Sequence, residues 1–167
     1  IVEPEVIMDG DHSIEDCFNV TSKTLKSVFK HLNSHKVLIE GILLKPNMVI
    51  SGTKSEKQAS VSEVANMTIK CLKESVPDNL PGIVFLSGGQ SNELATQNLN
   101  EMNKKKTDLP WKLSFSYGRA LQQPALSKWL GEDKNIESSQ KALFQRSKLN
   151  SDAASGNYNS EDEKLIL

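Results

Sequence analysis

Apolar positions along this chain fall into two kinds of run. Short, nearly unbroken ones occur at Ile1-Val2, at Val37-Leu38-Ile39-Glu40-Gly41-Ile42-Leu43-Leu44 and at Gly82-Ile83-Val84-Phe85-Leu86. Such runs read as strands buried on both faces. Trp111-Lys112-Leu113-Ser114-Phe115-Ser116 alternates instead and reads as a weaker strand. Between them, steps of three and four mark amphipathic helices. Ile14, Cys17, Phe18, Thr21, Leu25, Val28, Phe29 and Leu32 form one, opened by Ser13-x-x-Asp16 and running to about His35. Val61, Val64, Met67, Thr68, Cys71 and Leu72 form a second, opened by the capping box Ser60-x-x-Glu63 and ended before Pro77. Leu94, Ala95, Leu99 and Met102 form a third, behind Ser91 or Asn92. A fourth carries Pro124 early and Trp129 and Leu130 on its apolar side. A fifth spans about Asn135 to Ala154 and uses Ile136, Leu143, Phe144 and Leu149. The pattern predicts a folded part over residues 1–154 and a mobile acidic tail over 155–167, tipped by Leu165-Ile166-Leu167.

The unit strand, loop, helix thus recurs four times, and a polar residue ends each strand: Glu3, Lys45, Ser87 and Arg119. Intervals of roughly 30 to 40 residues suit a strand with its crossover helix. Alternation of this kind implies a parallel sheet and the α/β class. Chemistry at the carboxyl ends of strands fits a (β/α)8 barrel and a doubly wound open sheet equally. No Gly-x-Gly-x-x-Gly follows a strand, which weighs against the dinucleotide-binding form of the open sheet.

Composition adjusts this picture only slightly. A net charge of −1 gives no electrostatic case for nucleic acid or an anionic membrane as partner. No apolar run is long enough to span a bilayer. Cys17 and Cys71 both fall on apolar helical positions, which suits reduced, buried thiols in a cytosolic protein. His12, His31 and His35 lack metal-ligand spacing, and Lys104-Lys105-Lys106 reads as a solvated helix end. The chain begins at Ile1, within what reads as the second half of a strand, and so reads as a piece of something longer.

Three constellations carry candidate chemistry. Lys45 closes an apolar run, where desolvation favours the neutral amine, a nucleophile toward carbonyls; the plain alternative is a lysine reaching out to solvent. Glu3 and Glu5 are two apart on a strand and share a face, so both carboxylates could converge beside Lys45 as general acid–base groups. Ser87-Gly88-Gly89, between a buried strand and a helix start, is either a phosphate-binding turn or an ordinary glycine-rich one. Gly118-Arg119 repeats the theme and adds a guanidinium. Together they suggest an imine-forming lysine, an acid–base pair and a phosphate clamp on one rim, the equipment of a carbon–carbon lyase acting on a phosphorylated sugar.

Four stretches carry a resemblance to a known family: Ile1-Val2-Glu3-Pro4-Glu5, Leu43-Leu44-Lys45-Pro46-Asn47-Met48-Val49, Phe85-Leu86-Ser87-Gly88-Gly89-Gln90-Ser91 and Ser114-Phe115-Ser116-Tyr117-Gly118-Arg119-Ala120-Leu121. In order and spacing they resemble class I fructose-1,6-bisphosphate aldolase, over about residues 1 to 158. The resemblance implies a (β/α)8 barrel of which this chain holds the part from the end of the fifth strand onward. It implies that Lys45 forms the Schiff base, that Glu3 is the general acid–base of imine formation and that Glu5 assists. Ser87, Gly88, Gly89, Ser116, Gly118 and Arg119 match positions holding the phosphate of the dihydroxyacetone-phosphate half. It implies further a cytoplasmic, metal-free glycolytic enzyme without cofactor, a homotetramer when full length, with cytoskeletal and proton-pump proteins among the family's partners. The aspartate of carbon–carbon cleavage, a further active-site lysine and the second phosphate's basic residues would lie upstream of Ile1. Tyr158 lies in a Gly-Asn-Tyr context like the segment before the family's tail. Many members end in a functional tyrosine, whereas this chain ends Leu165-Ile166-Leu167. Paired glutamates ahead of Lys45 and the Ser-Gly-Gly turn behind it argue against transaldolase or deoxyribose-phosphate aldolase. A truncated, non-catalytic relative kept for protein binding is the remaining alternative.

Overall fold

The computed structural model describes residues 1–105 and 109–164. Among the described residues five α-helices stand near where the sequence predicts them: α1 (Ile14–Ser34), α2 (Val61–Ser75), α3 (Asn92–Lys104), α4 (Arg119–Trp129) and α5 (Ile136–Ala154). Ser13 with Asp16 and Ser60 with Glu63 form reciprocal capping boxes that fix the first turns of α1 and α2. The Ser91 hydroxyl accepts the Leu94 N–H at the start of α3. Each helix packs on a neighbour, α1 on α2, α2 on α3, α3 on α5 and α5 on α4. A buried hydrogen bond of 2.9 Å between the Ser22 and Ser75 hydroxyls crosses the first of these contacts.

Two regular strands, β1 (Gly82–Phe85) and β2 (Lys112–Phe115), pair in parallel with Ile83 opposite Leu113 and Phe85 opposite Phe115. The two earlier strands are reduced to single bridges, Val2 with Leu44 and Leu44 with Ile83. Val2 N–H donates to Leu43 O at 2.9 Å, Lys45 N–H to Val2 O at 2.8 Å and Val84 N–H to Leu44 O at 2.9 Å. Among the described residues four parallel segments therefore lie side by side in chain order.

The long run at 37–44 is not the strand its composition predicts. Leu38 is 70% exposed, and Ile39–Gly41 forms one 3-10 turn in which Gly41 N–H donates to Leu38 O. The Glu40 carboxylate is drawn outward to the Asn79 amide at 2.7 Å. Unbroken apolarity does not distinguish a strand from a buried turn, and a glutamate and a glycine in the middle favour the turn. Ile1, likewise, is exposed rather than buried.

α4 and α5 also depart from expectation. Trp129, Leu130, Ile136, Leu143 and Phe144 are exposed, and of the apolar residues expected to be buried only Leu149 is. The buried positions of these helices are the small or polar Ala120, Ala125, Arg146, Asn150 and Ala153, together with Leu149. Pro124 lies inside α4 rather than at its start. At the end of α3 Lys104 is exposed, as expected, while Lys105 is tethered at the surface: its ammonium meets Glu101 at 3.2 Å and reaches the Ser62 hydroxyl at 2.8 Å on α2. Lys106 lies outside the described residues.

Composition predicts a mobile tail from Ser155, yet 155–164 is held down. Tyr158 is buried; its N–H donates to Asn100 Oδ1 at 3.1 Å and its hydroxyl to Glu163 Oε1 at 3.0 Å. Glu163 in turn pairs at 2.5 Å with the buried Arg146, whose other nitrogen reaches Asn92 O and the Thr96 hydroxyl on α3. Leu165-Ile166-Leu167 lies outside the described residues.

The two faces of the sheet differ. Leu44, Ile83, Phe85 and Leu113 point one way, under the helices, and are buried. By strand alternation Glu3, Lys45, Val84, Ser114, Leu86 and Ser116 point the other way, and all are partly or fully exposed.

Candidate active site at the carboxyl ends of the parallel segments

The main-chain bond from Lys45 to Val2 sets Glu3 and Lys45 level on the open face, and their side chains meet at 2.9 Å. Lys45 retains 22% exposure of its side chain, so the amine is reachable from solvent. Glu5 lies farther along the same face but turns elsewhere: its Oε1 stands 3.1 Å from where a Cβ would sit at Gly88. The structure thus places one carboxylate, not two, in contact with the lysine.

Asn47 has a part in the site that residue pattern did not reveal. Its Oδ1 accepts the Val6 N–H at 3.0 Å, and its Nδ2 donates to the Thr21 hydroxyl and to Met48 O, each at 3.1 Å. Buried and fully used, it ties the chain after Glu5 to the chain after Lys45 and to α1. The signal available was a polar side chain wedged between Pro46 and the apolar Met48-Val49-Ile50.

Beyond β1, the Gln90 N–H donates to Ser87 O at 3.3 Å and Gly89 takes φ +73°, which makes Ser87–Gln90 a turn that needs glycine third. Ser87 is buried. The Ser116 N–H donates to Phe85 O at 2.9 Å, so β2 delivers Ser116 to the same rim. Gly118 opens α4 without any side-chain cap among the described residues, and a Cβ there would meet nothing within 4 Å. Arg119 follows, exposed and in no ion pair among the described residues. α3 and α4 both begin from this rim, so their electropositive ends lie on it.

Other chemistries find less support among the described residues. Burial raises the Cys17 thiol above its ordinary range and pushes Cys71 up to about 12, so neither is an ionised nucleophile near neutrality. Both are free, as expected. No group of three or more His, Cys, Asp or Glu side chains stands together as a metal site, and no helix is long and apolar enough to cross a membrane, among the described residues.

Comparison with known proteins gives a consistent picture. The family model for fructose-bisphosphate aldolase class-I matches residues 1–166. A cytosolic fructose-bisphosphate aldolase of Arabidopsis thaliana is 51% identical over 165 residues, 99% of this chain and 46% of that protein. Fructose-bisphosphate aldolase B of Gallus gallus is 51% identical over 158 residues, 95% of this chain and 43% of that protein. The solved fructose-bisphosphate aldolase of Plasmodium falciparum, in complex with TRAP and a small-molecule inhibitor, superposes with a TM-score of 0.91 at 47% identity, covering 94% of this chain and 45% of that one. The chain spans about half the length of the relatives it matches.

Proposed function

The chain belongs to the class-I fructose-bisphosphate aldolase family, and from that membership we propose that it supplies the imine-forming half of an aldolase acting on a phosphorylated ketose. The observation that carries this reading is the 2.9 Å contact of Lys45 with Glu3 on the rim that also holds the Ser87-Gly88-Gly89 turn. The Lys45 amine attacks the ketone carbon and forms a carbinolamine; loss of water leaves a protonated imine. Glu3 takes the ammonium proton before attack and returns it to the departing hydroxyl. The imine is the electron sink that lets the bond between C3 and C4 break, and the base for that step belongs to the half not represented here. Main-chain N–H groups of the glycine turn, Ser116, the uncapped start of α4 at Gly118 and the Arg119 guanidinium hold the substrate phosphate.

The open face of the sheet is the interior of a (β/α)8 barrel, and the rest of the barrel closes over it. A cleft of about 750 Å³ beside β2, lined by Asn103, Trp111 and Leu113, receives the next strand. The buried Asn103 Oδ1, which has no hydrogen-bond partner among the described residues, suits an incoming N–H there.

Borohydride reduction with dihydroxyacetone phosphate tests the site. One adduct on Lys45 is expected, together with little steady cleavage of fructose 1,6-bisphosphate by a polypeptide limited to these residues. An adduct on another lysine, or none in a folded sample, would overturn the assignment. The exposed Leu126, Trp129, Leu130 and Ile136 favour one other reading, a non-catalytic relative that binds proteins. Intact mass separates the two: about twice 18.5 kDa supports the enzyme, and 18.5 kDa the binding module.

A further inference from the structure

We propose that Met8 is a positioning residue for phosphate capture, acting through the Gly88-Gly89 turn; this rests on the reading of that turn as the phosphate cradle. The turn has no side chains at its apex, and a glycine pair in water samples many conformations, so its N–H groups converge only if something outside holds them. Met8 occupies that place. Its Cε lies 2.5 Å from where a Cβ would sit at Gly88, its Cγ fills the corresponding space at Gly89, and Ile50 Cδ1 stands 3.1 Å from that same point at Gly89. Met8 is buried although its neighbours Ile7 and Asp9 are exposed.

Its own backbone is clamped as well. Met8 O accepts the Thr53 N–H at 2.9 Å, Gly10 O the Lys54 N–H at 2.8 Å and His12 O the Gly52 N–H at 2.9 Å. The strap from Glu3 to Met8 therefore begins at the imine lysine and ends under the phosphate turn. It fixes the distance between the groups that hold the ketone and the phosphate of one substrate. An unbranched thioether fills the uneven gap beneath two glycines without straining either.

The test compares two ketones in borohydride trapping on Lys45. Met8→Ala is expected to raise the half-saturating concentration of dihydroxyacetone phosphate roughly tenfold, as misplacement of a positioning contact does. Unphosphorylated dihydroxyacetone, which does not engage the turn, should be unaffected, and Met8→Leu should restore most of the loss. An equal shift for both ketones, or for neither, overturns the proposal. Should Met8→Ala fail to fold, the unsubstituted chain still reports. Its Met8 Cε methyl, labelled with carbon-13, should shift as inorganic phosphate is titrated, and a silent methyl overturns the proposal. An unsubstituted chain that traps neither ketone refutes the Lys45 reading instead, which keeps the two failures distinguishable.

Discussion

The helix-covered face of the parallel sheet and the face opposite are built from the same four segments, yet they do different work. On the covered face Leu44, Ile83 and Phe85 are completely buried and Leu113 nearly so. On the open face a partly exposed Lys45 and an exposed Glu3 sit among Val84, Ser114 and Ser116. Apolar area removed from water accumulates on the first face, while the second keeps polar groups reachable by a substrate. Substitutions should therefore separate, with stability lost on one side and chemistry on the other. Phe85→Ala should give the largest effect, about 4 kcal/mol of stability, through lost transfer energy and the cavity left behind. Urea unfolding would show this, and a loss under about 1 kcal/mol would mean that the covered face is not the core.

The next largest effect lies where the tail closes over α3 and α5. Arg146→Ala leaves Glu163, Thr96 and Asn92 O without their charged partner, an expected cost of about 3 kcal/mol. Proteolysis within 158–164 should quicken in the variant, and a tail equally resistant in both would sink the latch. A smaller effect concerns pH. Cys71 has an ordinary thiol value of 9.0 and a folded one of about 12, raised mainly by burial and then by Cys17. Because the folded value lies above the unfolded one, this stability is fully present below the unfolded value and is lost as pH rises through the folded one. The slope is at most about 1.4 kcal/mol per pH unit. Between pH 9 and 12, Cys71→Ala should show a flatter decline than the unsubstituted chain.

Legibility in the sequence followed the same division. Helices α1, α2 and α3 announce themselves because a cap and a stripe are local features, fixed by residues three and four apart. The apolar run at 37–44 misleads because unbroken apolarity outweighs the two residues, Glu40 and Gly41, that favour a turn in its middle. Arg146 offered no signal at all: an arginine on a polar helix reads as solvated until Glu163 and Thr96 are seen around it. α5 likewise buries Ala153 and Asn150 and shows Phe144 to solvent, the reverse of what hydropathy favours. In the candidate site, the meeting of Lys45 with Glu3 was legible since a charged residue ending an apolar stretch must leave the core at the sheet's end. Glu5 was legible by spacing only as far as its face, since spacing fixes the face a carboxylate shares but not which neighbour it turns to.

The smallest stability effect belongs to the residue with the largest chemical one, and that is the sharpest test of the two-face comparison. Among the described residues Lys45 makes one ion pair, with a glutamate whose side chain is 53% exposed. A pair so hydrated contributes little to stability, so Lys45→Met should cost under about 1 kcal/mol in urea unfolding. The same variant should give no borohydride adduct with dihydroxyacetone phosphate, and Glu3→Gln should give one slowly, since the amine survives without its proton acceptor. If Lys45→Met instead destabilised the chain as Phe85→Ala does, the open face would be structural. Lys45 would then be a buried-pair residue rather than a nucleophile. A variant that unfolds normally and traps nothing leaves chemistry as what the open face keeps Lys45 for.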